Sequence, residues 1–337
     1  MSKKIKIAIP MAGLGTRMRP HTWSKPKPLI HLAGKTVLDY VLGQFSSLPS
    51  VDKAEYVLII GPNQGDQIQP YIKKHHPDKT VQYVVQEHMR GQSDALYLAK
   101  EFLSGPMLMT FSDTLIETDL SFLPYEETDG VAWVKPVPDP RRFGVAEVDV
   151  NGRVIRLIEK PQDMSNNLAL VGFYYFHNSQ ELMHAIEVQM QRDITLNGEF
   201  FLVDAINIML ENGSHFRTQQ VETWLDAGKP EALLQTNRYL LEHGHDNSQE
   251  AKQHKGATII PPVHVDASAK IKACVIGPYT SIGPNCDLSN SIVSNSIIEN
   301  DANISQMILE NSIIGSNAGV KGRAERMNIG DNSRIEI

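Results

Sequence analysis

Five cations, Arg17, Arg19, Lys25, Lys27 and Lys35, gather with His21 and His31 in the stretch IPMAGLGTRMRPHTWSKPKPLIHLAGKT, which runs from Ile9 to Thr36. They surround a glycine turn at Gly13 and Gly15, a place where backbone N–H groups can face outward and cradle phosphate oxygens. Arg17 stands just after the turn, and Lys27 lies within KPKPL, whose prolines fix φ and stiffen the segment. This is not a Walker loop, because G-x-x-x-x-G-K-[ST] is absent. Nor is it the dinucleotide fingerprint, whose third glycine is replaced by Met18. On the acidic side, Asp113 and Asp226 each follow an apolar run, MLMTFS and TWL. Two carboxylates meeting beside phosphates suit Mg²⁺, which takes few protein ligands and keeps substrate oxygens. Taken one at a time, each cation is equally a solvated loop charge and each Asp a turn or helix cap.

Elements of a particular order are needed to bring these residues together. Strand patterns at KIKIAIP, AEYVLII, TVQYVVQ and PMLMTFSD alternate with helical spacing in TVLDYVLGQF and SDALYLAKEFL, the second with Ser93 as its expected N-cap. Such alternation predicts a three-layer α/β sheet, mostly parallel, whose ligand crevice lies beyond the carboxyl ends of the strands. The glycine loop, Gln86 and Asp113 all fall at such ends. Strand patterns then dominate from 131 to 176, where alternation predicts that one of Tyr174 and Tyr175 faces the core, and helices return up to about residue 244. The polar run HDNSQEAKQHK is the expected linker, 245–257, between a domain of residues 1–244 and one of residues 258–337.

Beyond it the texture changes to a repeat. Ile276, Ile282 and Leu288 are six apart, as are Ile292, Ile298, Ile304 and Ile308, Ile314, Val320, the three sets being offset by 16 residues. Short strands with an inward aliphatic at every sixth position predict a parallel β-helix whose coils bury one another's apolar faces. The repeat is similar to the left-handed hexapeptide helices.

Composition narrows the partners. A chain of 337 residues, 41% hydrophobic and 21% charged, is long enough for two folded domains. Its net charge of −7 argues against a nucleic-acid surface, so the local cation cluster is expected to hold a small anion. Two cysteines form neither a disulfide framework nor a thiolate metal site. The apolar run at the start is too short for a signal peptide, and no 18-residue apolar span follows, so a cytoplasmic protein with no membrane partner is expected.

MAGLGTRMRP…KPKPL resembles the signature of the sugar-1-phosphate nucleotidylyltransferases, G-G-x-G-T-R-L-x-P-L-T…P-K-P-L, with Ala12 in place of the first glycine. QEHMRGQSDAL resembles that family's base-recognition segment and FSD its metal-binding strand end. FGVAEVD, IEKP, VGFYYF and WLDAG resemble its sugar and second metal segments, all in the family's order over about residues 4–240. The resemblance implies a Rossmann-like nucleotidyltransferase domain followed by a short left-handed β-helix. It also implies attack by a sugar 1-phosphate on the α-phosphorus of a nucleoside triphosphate, with Arg17 and Lys27 catalytic and Ala12, Gly13, Gly15, Thr16, Gln86 and Gly91 holding the nucleotide. Gly144, Glu159, Lys160 and Gly172 would take the sugar phosphate, and Asp113 and Asp226 would bind Mg²⁺. The motifs look most like glucose-1-phosphate thymidylyltransferases, with uridylyl and guanylyl transfer as alternatives and a homo-oligomer, assembled through the β-helix, as the expected state. Two other classes stay open: acyl transfer by the repeat domain, where His264 is the only histidine, and a non-catalytic sugar-nucleotide sensor.

Overall fold

The computed structural model describes residues 4–323. By their contacts the described residues divide into two compact units, 4–30 with 36–232 and 31–35 with 233–323. The strands up to the end of the first unit are β1 (Lys6–Pro10), the two-residue β2 (His31–Leu32) and β3 (Lys35–Thr36), β4 (Glu55–Ile60), β5 (Thr80–Val85), β6 (Met107–Thr110), β7 (Thr114–Ile116), β8 (Gly130–Pro136), β9 (Gly144–Val148), β10 (Val154–Glu159), β11 (Leu168–Phe176), β12 (Phe216–Gln220) and β13 (Trp224–Asp226). The helices are α1 (Val37–Gly43), α2 (Gly65–His75), α3 (Gln92–Leu98), α4 (Ser179–Gln191) and α5 (Leu202–Glu211).

A nine-stranded sheet forms the centre of the first unit, in the order β10-β9-β11-β6-β1-β4-β5, with β8 also on β11 and β12 on β8. Strands β6, β1, β4 and β5 are parallel, and the inner three are near-continuous apolar runs with both faces covered, Tyr56 to Ile60 all being buried, whereas β5 at the sheet's edge is partly exposed. The four strands of the alternating stretch are parallel as expected, and the antiparallel pairs come from the strand-rich stretch after it. β11 runs antiparallel to β6, β8 and β9, and β9 antiparallel to β10. Burial on both faces also overrides the expectation that only one of Tyr174 and Tyr175 is inside, since both are buried. α1 begins with a capping box, in which Thr36 Oγ1 accepts from Asp39 N–H and Asp39 accepts from Thr36 N–H. α3 begins two residues earlier than expected. Gly91, at φ +106°, is its N-cap, and Ser93 lies inside the first turn with its N–H on Phe200 O.

In the second unit, helix α6 (Pro230–Leu240) and a turn of helix α7 (Ser248–Ala251) precede the repeat, and Ala251 joins the repeat's apolar core. Twelve short strands then form three four-stranded parallel sheets, one per face of a left-handed β-helix. Corners need left-handed backbone, which Asn and Asp tolerate best among residues with a side chain. The repeat places them there: Asn285, Asp301 and Asn317 recur at one corner, and Asn295 and Asn311 at another, all with positive φ. They also bond from coil to coil, with Asn295 Nδ2 donating to Asn311 Oδ1 at 2.6 Å and Asn285 Nδ2 to Asp301 Oδ1 at 3.2 Å.

Two of the three inward rows are those the repeat predicts, Ile282–Ile298–Ile314 and Leu288–Ile304–Val320. The third is not. Ile276 pairs with Val293, and Val293 with Leu309, so Val293 and Leu309 fill the core while Ile292 and Ile308 stand outside at 45% and 77% exposure. From that row to the next, the first coil has six residues and the later two have five, so the six-residue spacing slips by one and reverses the side chain's face. Leu288→Ala is therefore expected to cost about 2–5 kcal/mol of stability. Ile308→Ala should fall within about 0.5 kcal/mol of the parent. Chemical denaturation of the two variants checks the register. Both cysteines, Cys274 and Cys286, are free and buried. No helix among the described residues is long and apolar enough to cross a membrane.

Candidate active site

Beyond the end of β1 the chain enters the glycine turn, and the turn is held open by its neighbours rather than by its own side chains. Gln64 grips it, accepting from Gly61 N–H at 2.8 Å and donating to Gly13 O at 3.3 Å. Gly15 sits at φ +61°, and a Cβ there would meet Thr22 Cγ2 at 3.0 Å while Thr22 Oγ1 already donates to Gly15 O. A short 3₁₀ turn, Thr16–Met18, follows and anchors itself through buried Met18, leaving Arg17 on the outer side. Lys27 opens a second 3₁₀ turn, Lys27–Leu29, whose start is set by Pro26 and whose other two residues, Pro28 and Leu29, are buried.

The acids come together through a strand pair. Asp113 lies between β6 and β7, and β13 runs antiparallel to β7 with Asp226 opposite Thr114. That register places Asp226 beside Asp113, and Ala227 N–H donates to Asp113 O at 3.0 Å. Lys27 Nζ donates to Asp113 Oδ2 at 2.5 Å. Three of the four charged residues face Gly228, and Lys27 joins them through Asp113: a Cβ on that glycine would lie 2.8 Å from Asp226 Oδ1, 2.9 Å from Asp113 Oδ2 and 3.5 Å from Arg17 Nη2. Glycine is what leaves that point clear.

The two carboxyls respond to this setting in opposite directions. Burial would raise the Asp113 pKa, but Lys27 and then Arg17 outweigh it and hold the group below the usual range. Asp226 is pushed upward, first by burial and then by the Asp113 charge, against the Gly228 N–H and the same two cations. One acid is thus fixed as an anion, and the second is a strained neighbour that a further cation would relieve. Among the described residues no group of three or more His, Cys, Asp or Glu side chains is arranged for a metal. The pair fits an ion that draws its remaining ligands from substrate oxygens.

Ala12, Gly13, Gly15, Thr16, Arg17, Lys27, Gln86, Gly91 and Asp113 line one cavity of about 520 Å³. Asp226 borders it through Gly228. The remaining candidates lie elsewhere in the same unit. Glu159 and Gly144 are opposite each other on β10 and β9, with Glu159 Oε2 3.1 Å from where a Gly144 Cβ would be. Burial raises the Glu159 pKa, Lys160 lowers it and Asp204 raises it. Lys160 has φ +48° and its Nζ lies 4.7 Å from the centroid of the Phe201 ring. Gly172 backs the cavity wall: Phe111 lines the cavity, and a Gly172 Cβ would sit 2.4 Å from the Phe111 ring. Met89, Phe111 and Gly228 also line the cavity, inside the segments QEHMRGQSDAL, FSD and WLDAG but not among the named candidates, and Glu199 lines it from outside every segment the sequence marks. Gly228 stands two residues past Asp226.

Gly91 is closed in by main chain. At φ +106° an added Cβ would lie 2.5 Å from Phe200 O and 2.6 Å from Phe200 N, both backbone atoms. Gly91→Ala is expected to cost about 1–3 kcal/mol, which thermal melting reads as a drop of about 2–4 °C per kcal/mol.

A sequence profile of the nucleotidyl transferase family matches residues 8–243. The chain is 31% identical to the low-salt glycan biosynthesis nucleotidyltransferase Agl11 of Haloferax volcanii, over 96% of this chain and 98% of that protein. It is 29% identical to the glucose-1-phosphate thymidylyltransferase of Streptomyces antibioticus, over 99% of each chain. Among solved structures, a putative glucose-1-phosphate thymidylyltransferase from Bacillus anthracis in complex with sucrose superposes with a TM-score of 0.60 at 21% identity, covering 70% of this chain and 94% of that one. That likeness is one of fold.

Proposed function

This chain belongs to the nucleotidyl transferase family, and from that premise we propose that it joins a nucleoside triphosphate to a sugar 1-phosphate with release of pyrophosphate, thymidine triphosphate and glucose 1-phosphate being the pair it uses. One observation carries the reading: Arg17, Asp113 and Asp226 converge on Gly228, and Lys27 is bonded to Asp113, beside a glycine turn that lines the same cavity. In the reaction an oxygen of the sugar phosphate forms a bond to the α-phosphorus, and the bond from that phosphorus to the bridging oxygen breaks, its electrons leaving on pyrophosphate. Both reactants are anions, so the protein's work is to hold them together and to meet the charge that builds up. No side chain needs to act as nucleophile.

The glycine turn offers N–H groups to the triphosphate, and Arg17 can hold two oxygens at once. The Lys27 ammonium has three protons, of which Asp113 takes one, leaving the others for the α-phosphate region. Lys160 and Glu159 serve the sugar phosphate and the sugar hydroxyls. Asp113 and Asp226 would hold Mg²⁺, which when bound neutralises polyphosphate charge. His264, the histidine of the repeat, packs its ring beside Gly34, where an added Cβ would lie 2.3 Å from Cε1, and its Nδ1 is 3.3 Å from His245 O.

Supplying hexose 1-phosphates with each of several triphosphates, and weighing the products by mass spectrometry, tests the reading. One sugar nucleotide per pyrophosphate, best with thymidine triphosphate and glucose 1-phosphate, is the expected result. Triphosphate hydrolysis with no sugar-linked product would refute it.

A further inference from the structure

We infer that Asp94 is a positioning residue that fixes the Gln86 amide with its oxygen toward the nucleotide cavity, so that the site selects bases bearing a ring N–H. The inference rests on the nucleotidyl-transfer reading for its setting, and it adds the class of base and the residue that enforces it. Gln86 follows β5 with its backbone N–H on Ile60 O at 2.9 Å, and its side chain lines the cavity. Its Nε2 donates to Asp94 Oδ2 at 2.9 Å and to Gly91 O at 3.2 Å. An amide nitrogen has two protons, so both are spent within the protein. Among the described residues no donor reaches Gln86 Oε1.

The orientation follows from chemistry. Both partners of Nε2 are acceptors only, a carboxylate and a main-chain carbonyl, so a turned amide would set its oxygen against two others. Neither partner is free to adapt. Asp94 is buried, and its second oxygen is held by Arg90 Nη2 at 2.6 Å. Gly91 O also accepts the α3 bond from Ala95 N–H, and Arg90 O is fixed by Phe200 N–H. Gln86 therefore presents an acceptor to whatever lies in front of it.

Thymine, uracil and guanine carry a proton on the ring nitrogen of the pairing edge, whereas cytosine and adenine present a lone pair there. An acceptor facing the first group makes a hydrogen bond, and facing the second it leaves two lone pairs opposed at a buried amide. An unmet polar group of this kind discriminates by about 10–100-fold.

The test compares matched triphosphates, UTP with CTP and GTP with ATP, so that sugar and ring size cancel. Both kcat/KM with glucose 1-phosphate and equilibrium binding are measured for the parent and for Asp94→Asn. The parent should favour UTP over CTP, or GTP over ATP, by about 10–100-fold. In D94N the new amide can donate to Gln86 and let it turn, so the ratio should fall about tenfold or more, through KM rather than through the rate at saturation. A purely structural role for Asp94 would weaken all the triphosphates together and leave the ratios intact, which overturns the inference. Should D94N fail to fold, the parent's ratios decide alone: CTP or ATP binding as well as its partner overturns it. UTP or GTP bound selectively without any nucleotidyl transfer would remove the transfer reading and leave the role of Asp94 standing.

Discussion

Lys27→Ala should lower turnover by a factor of about 10²–10³, the scale for deleting one preorganised group that meets transition-state charge. The loss should fall mainly on kcat, because Arg17 and the glycine turn still hold the triphosphate while the α-phosphorus loses its cation. The 2.5 Å bond to Asp113 explains why the lysine is held in place without substrate. Lys27→Arg should rescue only partly, since a planar fork cannot take the place of the compact ammonium bonded to Asp113. Steady-state kinetics on both variants, with melting temperatures to confirm folding, checks the role. Turnover unchanged in Lys27→Ala would remove Lys27 from the chemistry.

Asp113→Asn and Asp226→Asn should both depress activity by about 10²-fold or more, yet shift stability in opposite directions. Asp113 has its folded pKa held below the unfolded value, so its ionised form contributes stability that is present above the unfolded pKa. Making it neutral forfeits that contribution and leaves Lys27 without its partner. Asp226 has its folded pKa raised, so at neutral pH its charge costs the folded state, and asparagine removes the cost. The Gly228 N–H bond to Oδ1, 2.6 Å long, survives in the amide. Asp226→Asn should therefore melt at or above the parent and Asp113→Asn below it, measured at pH 7 without divalent metal. Added Mg²⁺ should raise the parent's melting temperature in the presence of triphosphate and do so less in either variant. Parallel stability losses would show that the Asp226 charge does not cost the folded state. A site that keeps a destabilising charge for function follows the usual trade between stability and activity.

The parts of this site that could be read from the sequence are those tied to the backbone. The glycine turn, Lys27 between its prolines and the two acids at strand ends have local signatures, and the fold brings them to one cavity. What escaped notice depends on contacts between distant segments. Phe200 closes on Gly91 and Glu199 lines the cavity, although nothing in NGEF marks that loop as part of a nucleotide site. Asp94 reads in sequence as an ordinary acid in a helix's first turn, and only its two buried bonds reveal its grip on Gln86. The β-helix shows the same division. Its coils were legible from repeated isoleucines and asparagines, whereas one inward row was displaced by a five-residue corner. Ile292 and Val293 are both good strand residues, so composition alone cannot say which of them faces in.

Pyrophosphate release from triphosphate and sugar 1-phosphate, each supplied alone and then together with Mg²⁺, tests the central claim most directly. If Arg17, Lys27, Asp113 and Asp226 gather two anionic substrates in one cleft, pyrophosphate appears only when both are present, and Lys27→Ala suppresses it. Release at the same rate from triphosphate alone, or none from any triphosphate with any hexose 1-phosphate, would contradict it.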